Sequence, residues 1–200
     1  MSGTSPSEFK TFKHNPFVKE IHPGIFLHKE LLPNYINYEY LLELENVKRK
    51  DQWNMHGNYS VGDHEDFGDL YDWKDKLSFD FNFDYLKSTI VNIVAPIYWI
   101  FNHTNFIRLK TGDSAALSFS YEDTNMMYAK PQYKLVYYLG KWEGGELVFP
   151  KINFEFSPEE GDLLIFSSDK EYVHFTKEIT SGTRYCYIDV LNYHPGYFIG

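Results

Sequence analysis

The sequence predicts an α+β protein that is mainly β, and two observations favour that class. Tyr and Phe each occur 17 times among 200 residues, and such side chains pack well on a pleated sheet but lose rotamer freedom in a helix. The second half of the chain alternates short apolar runs with turn residues, whereas helical spacing is confined to two stretches of the first half. We therefore expect a sandwich or barrel of about eight strands with helices beside it.

One domain is expected, because 200 residues with 43% hydrophobic content can bury one substantial core. Residues 1–16 are polar, lack apolar periodicity and are predicted to be a flexible arm. Residues 17–200 are the predicted domain, with 17–103 as a supporting layer of helices and loops and 104–193 as the β core.

Charge and cysteine content limit the partners and the location that we expect. The net charge of −9 argues against a nucleic-acid partner, which needs clustered Lys and Arg. A single cysteine, Cys186, excludes an intramolecular disulfide and suits a reducing interior. The N-terminus has no apolar signal, and the longest apolar stretch, 90–101, is too short to span a bilayer. We expect a soluble protein, cytoplasmic or otherwise intracellular, without a membrane partner.

The first half of the chain predicts one strand, two helices and a long irregular segment. Residues 21–27 are typical of a short strand, and residues 33–48 place apolar groups at helical spacing. Residues 51–76, rich in Gly, Asp, His and Trp, are predicted to form loops with short strands. Residues 84–101 carry an apolar stripe that predicts a second helix, kinked or ended by Pro96.

The second half predicts short strands separated by turns. The predicted strands are 106–109, 115–120, 133–139, 146–149, 154–156, 163–166 and 184–191. The predicted turns are 111–113, 143–145, 159–162 and 181–182, each of which contains Gly.

Three features with chemical potential occur in order in this β-rich half. They are a Tyr-Glu-Asp loop at 121–123, a Gly-Gly-Glu-Leu-Val-Phe-Pro run at 144–150, and His174 followed by Gly182 and Arg184. Each feature alone has an ordinary structural explanation. Paired glycines permit tight turns, Asp favours turns, and a lone His is more often a packed or exposed side chain than a ligand.

Together these features resemble the core of a known enzyme family. The Tyr-Tyr-Leu at 137–139, the run at 144–150, the segment 158–166 and the spacing of His174 to Arg184 resemble the prolyl 4-hydroxylase-like group of the Fe(II)- and 2-oxoglutarate-dependent dioxygenases. The resemblance covers residues 104–193 by motif. It implies a double-stranded β-helix, or jelly-roll, barrel with N-terminal helices packed on one sheet.

The resemblance also implies site residues and cofactors. Asp123 and His174 match the positions that bind Fe(II), and Arg184 and Tyr138 match those that hold the far carboxylate of 2-oxoglutarate. These roles suit the side chains, because a neutral imidazole is a good ferrous ligand and a guanidinium can hold a carboxylate through two parallel hydrogen bonds. No catalytic side chain beyond the metal centre is implied, and ascorbate is an optional reductant.

One position departs from the family pattern. The family uses His-any-Asp for its first two iron ligands, and Tyr121 stands where that His belongs. Three explanations remain, in order of preference. Metal binding is weakened or altered, Tyr121 ligates as a phenolate, or His64 supplies the imidazole from a distant segment.

The function that the resemblance implies is hydroxylation of an unidentified small-molecule or peptide substrate, with conversion of 2-oxoglutarate to succinate. The replacement of His by Tyr121 leaves a second hypothesis, a catalytically silent relative that keeps the barrel as a binding module. A cupin-like barrel acting on a small sugar or acid is a third hypothesis. It would require clustered histidines, and the sequence does not offer them.

Overall fold

The computed structural model describes residues 15–46, 84–94, 98–118 and 133–193. These ranges contain ten β-strands, two α-helices and two short 3-10 turns. The elements are β1 (Val18–His22), β2 (Ile25–His28), α1 (Asn34–Asn46), α2 (Asp84–Val94), β3 (Tyr98–Lys110), β4 (Ala115–Ser118), β5 (Tyr133–Gly144), β6 (Leu147–Phe149), β7 (Phe154–Phe156), β8 (Leu163–Ser167), β9 (His174–Thr176) and β10 (Ile179–Tyr193), with 3-10 turns at Pro150–Ile152 and Lys170–Tyr172.

The strands form two antiparallel sheets. The larger sheet has the order β1-β2-β8-β5-β10-β3, and the smaller has the order β4-β9-β6-β7. Every pairing in both sheets is antiparallel. The central pair of the larger sheet, β5 and β10, stays in contact from Tyr133 opposite Leu191 to Gly144 opposite Ile179. The predicted class, mainly β with few helices, is confirmed.

One face of the larger sheet packs against the helices. Successive residues of a strand point to opposite faces, and on β5 the side chains of Leu135, Tyr137 and Leu139 share one face. These side chains belong to a buried cluster with Tyr40 of α1 and Ile90 of α2. The further members of this cluster are Val18, Phe26, Leu31, Leu32, Leu44, Leu86, Tyr133, Leu163, Ile165, Tyr185, Tyr187 and Leu191.

The opposite face of the larger sheet packs against the smaller sheet. Val136 and Tyr138 of β5 belong to a second buried cluster that includes Phe149 of β6 and Phe156 of β7. We call this shared set of buried side chains the intersheet layer. Its other members are Ile25, Leu27, Leu147, Leu164, Phe166 and Cys186.

A buried hydrogen bond joins α1 to the larger sheet. The Tyr137 hydroxyl donates to the side-chain carbonyl of Asn37, and both residues are almost fully buried. A buried polar group is tolerated when it has a partner, so this pair fixes the helix position at little cost.

The second helix is shorter than its apolar stripe predicts. It ends at Val94, and residues 98–101 begin the long strand β3 instead. The prediction of helix through residue 101 is therefore wrong. The four residues Tyr-Trp-Ile-Phe are aromatic or β-branched and follow Pro96 closely, so their β preference and pairing with β10 outweigh the helical spacing.

Two turn assignments also differ from the prediction. The single strand predicted at 21–27 is a hairpin of β1 and β2, because Pro23 cannot donate to a ladder and Gly24 adopts a φ of +74°. The turn predicted at 181–182 lies inside β10, where the register against β5 shifts between Ile179 and Ser181. Positive φ at a glycine serves a bulge as well as a turn.

The other predicted elements have mixed outcomes. The helix predicted at 33–48 is confirmed over Asn34–Asn46. Most of the predicted arm and the segment 51–76 lie outside the described residues. Among the described residues, neither helix has the length and apolar character that crossing a membrane requires.

Removing the Asn37 side chain should destabilise the fold through Tyr137. Asn37→Ala leaves a buried hydroxyl without its acceptor, and we expect a loss of about 1–3 kcal/mol in the free energy of unfolding by urea titration. Tyr137→Phe is the matched control. If Asn37 and Tyr137 are coupled, the variant with both substitutions will lose less free energy of unfolding than the sum of the losses of the two single variants. A loss equal to that sum would contradict the coupling.

Candidate functional site

The structure brings three of the predicted site residues to the intersheet layer. Tyr138 lies on β5, His174 begins β9 and Arg184 lies within β10. All three are buried. His174, on the smaller sheet, packs on the rings of Phe149 and Phe166 in the intersheet layer. Arg184, on the larger sheet, packs on the ring of Tyr138 in the same layer. The predicted ligands on two different sheets thus face one shared interior.

Arg184 is a buried cation with incomplete hydrogen bonding. Its side chain is 2% exposed, and its guanidinium lies 5.6 Å from the Tyr138 ring centroid and 5.7 Å from that of Trp142. The Nη1 group donates to the carbonyl of Gly145, whereas Nε has no hydrogen-bond partner. The Cys186 thiol makes a further contact with the guanidinium.

No Asp or Glu of the described ranges forms an ion pair with Arg184. A buried charge without a counter-charge is costly, and hydrogen bonds to a carbonyl and stacking on rings offset only part of that cost. The surrounding groups are therefore suited to receive an anion, and a carboxylate fits the fork of a guanidinium best.

Glycine at position 145 keeps the guanidinium in place. A Cβ added there would lie 2.8 Å from Nη1 of Arg184 and 2.3 Å from Cδ1 of Ile179, and the backbone φ is +69°. Any other residue would displace the arginine. The paired glycines of the 144–150 run thus form a tight turn, as the sequence suggests, and this turn lies beside Arg184.

Tyr138 presents a neutral phenol to the same interior. In the register of β5 and β10, Tyr138 lies opposite Cys186, and Arg184 lies opposite Gly140. Since Cys186 and Arg184 are two residues apart on β10, Tyr138 and Arg184 are neighbours on the same face of the sheet. Burial raises the pKa of Tyr138 well above its usual value. The hydroxyl therefore stays protonated and can donate a hydrogen bond to a bound carboxylate.

The His174 ring is held by aromatic neighbours and by one backbone group. Its centroid lies 4.8 Å from that of Phe166 in an edge-to-face contact and 5.3 Å from that of Phe149. Its Nδ1 is 3.0 Å from the carbonyl oxygen of Tyr172. Since a carbonyl only accepts, Nδ1 carries the proton, and in the neutral ring the lone pair is then on Nε2. Metal-binding histidines commonly use this arrangement.

Electrostatics keep His174 neutral. Burial, assisted by the positive charge of Lys134, lowers the pKa of His174 to about 3. Burial likewise lowers the pKa of Lys134 to about 8. The sequence did not single out Lys134, because a lysine in an alternating strand ordinarily faces solvent. The sequence did contain a signal for this burial. Lys134 is four residues from Tyr138, and residues an even number apart on a strand point to the same face.

The remaining predicted ligands, Asp123 and Tyr121, lie outside the described residues, as does His64. Within the described ranges no group of three His, Cys, Asp or Glu side chains is placed to hold a metal ion. Three residues of the described part could hold the expected cofactors. His174 offers one imidazole in a tautomer that suits a metal, and Arg184 and Tyr138 could together bind a carboxylate.

Solved structures with the same fold include two prolyl hydroxylases of similar size. The viral collagen prolyl hydroxylase of Paramecium Bursaria Chlorella virus-1, in its 2OG complex, is 16% identical with a TM-score of 0.55, over 84% of this chain and 95% of that one. A prolyl-4-hydroxylase of Pseudomonas putida is 15% identical with a TM-score of 0.54, over 86% and 93%.

A third similar structure is a prolyl hydroxylase of Trichoplax adhaerens in complex with a peptide fragment of hypoxia inducible factor. It is 16% identical with a TM-score of 0.50, over 84% of this chain and 83% of that one. No protein-family model matches the sequence, and no curated protein matches it. The predicted resemblance to prolyl hydroxylases is thus confirmed in the fold.

Protonation of His174 should couple stability to pH in metal-free protein. The folded-state pKa of about 3 is below the ordinary value of 6.5, so only the unfolded chain takes up this proton as the pH falls through that window. The contribution of neutral His174 to the free energy of unfolding is therefore greatest above pH 6.5 and decreases as the pH falls below that value. Between pH 7 and pH 5 the free energy of unfolding should fall by about 2 kcal/mol more than in His174→Gln.

Urea titrations in EDTA at the two pH values measure this difference. His22→Gln, which changes a partly exposed imidazole on β1, is the matched control. Equal pH dependence of wild type and His174→Gln would show that His174 is not buried in the neutral form.

Proposed function

We propose that the chain is an Fe(II)- and 2-oxoglutarate-dependent oxygenase of the prolyl 4-hydroxylase-like type. The observation that carries the proposal is the buried guanidinium of Arg184, which has an unsatisfied Nε and no carboxylate partner among the described residues. The order of motifs in the sequence and the shared fold support it. In this proposal the two sheets form the double-stranded β-helix of that group.

Each site residue has a distinct task under this proposal. The guanidinium of Arg184 binds the far carboxylate of 2-oxoglutarate through charge-assisted hydrogen bonds, and the neutral Tyr138 hydroxyl donates a further hydrogen bond to it. His174 and Asp123 hold Fe(II), with Tyr121 beside them or as a third ligand. The iron supplies the oxidising chemistry when bound, and ascorbate helps to keep it reduced. The protein's own contribution is to orient the acid and to exclude water between the sheets.

The reaction that we propose is hydroxylation of an unidentified small molecule or peptide, with conversion of 2-oxoglutarate to succinate. The three similar structures are prolyl hydroxylases, so a prolyl peptide is a reasonable first substrate to try. The loops that select a substrate vary independently of the scaffold, so the fold does not dictate the choice.

Succinate release tests the enzyme activity. With Fe(II), ascorbate and 2-oxoglutarate, we expect wild type to form succinate, and Arg184→Met to lose at least about tenfold in kcat/KM for 2-oxoglutarate. The variant should fold as well as wild type, because replacing an uncompensated buried cation by an apolar group is often neutral or stabilising.

Lys110→Met, which removes an exposed positive charge from β3, is the matched control and should keep wild-type turnover. Mass spectrometry of succinate and thermal melting with and without 2-oxoglutarate give the two readouts. Absence of succinate at saturating iron would eliminate the enzyme proposal.

The silent binding module remains the second candidate, because Tyr121 stands where the family has an iron-binding His. In that case the intersheet layer binds an acid without turnover. The binding of 2-oxoglutarate would persist in Lys110→Met and be lost in Arg184→Met, while neither protein released succinate.

Restoring the imidazole tests whether position 121 belongs to the metal centre. Tyr121→His should tighten Fe(II) binding by about tenfold or more, measured anaerobically by calorimetry, because a neutral imidazole is a better ferrous ligand than a phenol. Tyr121→Phe is the control, since it removes the phenol without adding a ligand. Equal iron affinity in wild type and Tyr121→His would mean that position 121 is remote from the metal.

A further inference from the structure

Trp142 is the less buried of the two rings that cover the Arg184 guanidinium. It lies on β5 four residues after Tyr138, so both side chains point from the same face of the strand to the intersheet layer. Tyr138 is 2% exposed, whereas Trp142 is only partly buried, between the exposed residues Lys141 and Glu143. Trp142 is therefore the ring of this pair that lies toward solvent.

The guanidinium lies over the seam between the two rings. Its central carbon is 5.6 Å from the Tyr138 centroid and 5.7 Å from the Trp142 centroid. The two centroids are 6.4 Å apart, with an interplanar angle of 34°. A cation within about 6 Å of an aromatic centroid is attracted to the ring face, most strongly to that of tryptophan. Because the two distances are equal, the position of the cation depends on both rings.

Few polar contacts fix the plane of the guanidinium. Its Nη1 donates to the carbonyl of Gly145, the Cys186 thiol makes a further contact, and Nε has no hydrogen-bond partner. A carboxylate accepts two parallel hydrogen bonds only when the fork of the guanidinium faces it. The two rings therefore supply a restraint on this plane that the hydrogen bond to Gly145 alone does not.

We propose that Trp142 is a positioning residue of the acid site. Its ring holds the Arg184 guanidinium in the orientation that binds a carboxylate, and it excludes water from that ion pair, which strengthens the attraction between the charges. The inference rests on the proposed function, because it concerns the acid that Arg184 binds. It adds a residue that acts through Arg184, and the action depends on an aromatic ring and not on the indole N–H.

Succinate assays and calorimetry of the full chain test this role with 2-oxoglutarate as the probe. We expect Trp142→Leu to raise the KM for 2-oxoglutarate, and its Kd measured anaerobically with Fe(II), by about fivefold or more. The kcat should stay within about twofold of wild type, because the ring acts on binding. Trp142→Phe keeps a ring beside the guanidinium, and its KM and Kd should stay within about threefold of wild type.

Tyr85→Leu is the matched control, since it removes an exposed ring from α2. Its KM and Kd for 2-oxoglutarate should equal those of wild type. Unchanged affinity in Trp142→Leu would overturn the inference. So would an equal loss of affinity in Trp142→Phe, because the role would then not depend on an aromatic ring.

Salt dependence separates exclusion of water from a purely structural role. Exposed ion pairs are screened by salt more than buried ones. Between about 0.05 and 0.5 M KCl, the affinity of Trp142→Leu for 2-oxoglutarate should therefore fall at least about threefold more than that of wild type. A variant that only folds less well would lose stability in urea without this change. Equal salt dependence of the two proteins would overturn the shielding role.

Tryptophan emission gives a readout that does not require Trp142→Leu to fold. A carboxylate bound to Arg184 changes the charge beside the indole, so 2-oxoglutarate should change the emission of wild type. The change should be absent in Trp142→Phe, which keeps the other tryptophans, while calorimetry still detects binding. An emission change of the same size in Trp142→Phe would contradict the placement of the acid beside Trp142.

These outcomes are separable from failure of the proposed oxygenase. Succinate release by wild type, with an unchanged KM in Trp142→Leu, would leave the oxygenase and remove the role of Trp142. Binding of 2-oxoglutarate that weakens in Trp142→Leu, without succinate release at saturating Fe(II), would leave the role of Trp142 and remove the oxygenase. Absence of both binding and release in wild type would overturn both.

Discussion

The antiparallel pairing of β5 with β10 is the constraint on which the rest of the structure depends. Because side chains alternate along each strand, this register decides which residues face the helices and which face the smaller sheet. A slip of one residue would move every side chain of a strand to the other face. Tyr138, Cys186 and Arg184 would then lie among the helix-side aromatics, and the proposed acid site would be lost.

The two faces handle their polar groups differently. On the helix side the buried polar groups pair within the chain: Tyr137 donates to Asn37, and Tyr187 donates to Asp189 at 3.1 Å. On the intersheet side Arg184 keeps an unsatisfied Nε. Satisfied pairs stabilise a fold, whereas an unsatisfied buried charge weakens it unless a ligand completes it. This contrast supports placing the proposed acid site on the intersheet side.

The sequence predicted the features that depend on local pattern. The first helix and most of the strands follow from apolar spacing and turn residues. The second helix was overextended, because residues 98–101 fit both a helical stripe and a β strand, and only pairing with β10 decides between them. Lys134 was missed for a related reason. Its strand looks half solvated, and the burial of Lys134 comes from tertiary packing that the local pattern does not show.

The replacement of the family's proximal His by Tyr121 therefore affects two parts of the proposed site unequally. Metal affinity depends on the number of suitable ligands, and losing an imidazole lowers it directly. The proposed acid site depends instead on Tyr138 of β5 and Arg184 of β10, whose positions are fixed by the pairing of those strands and not by residue 121. The His174 tautomer is likewise set by the Tyr172 carbonyl. A chain with a weakened metal centre can thus keep the proposed acid site, because the two parts depend on different residues.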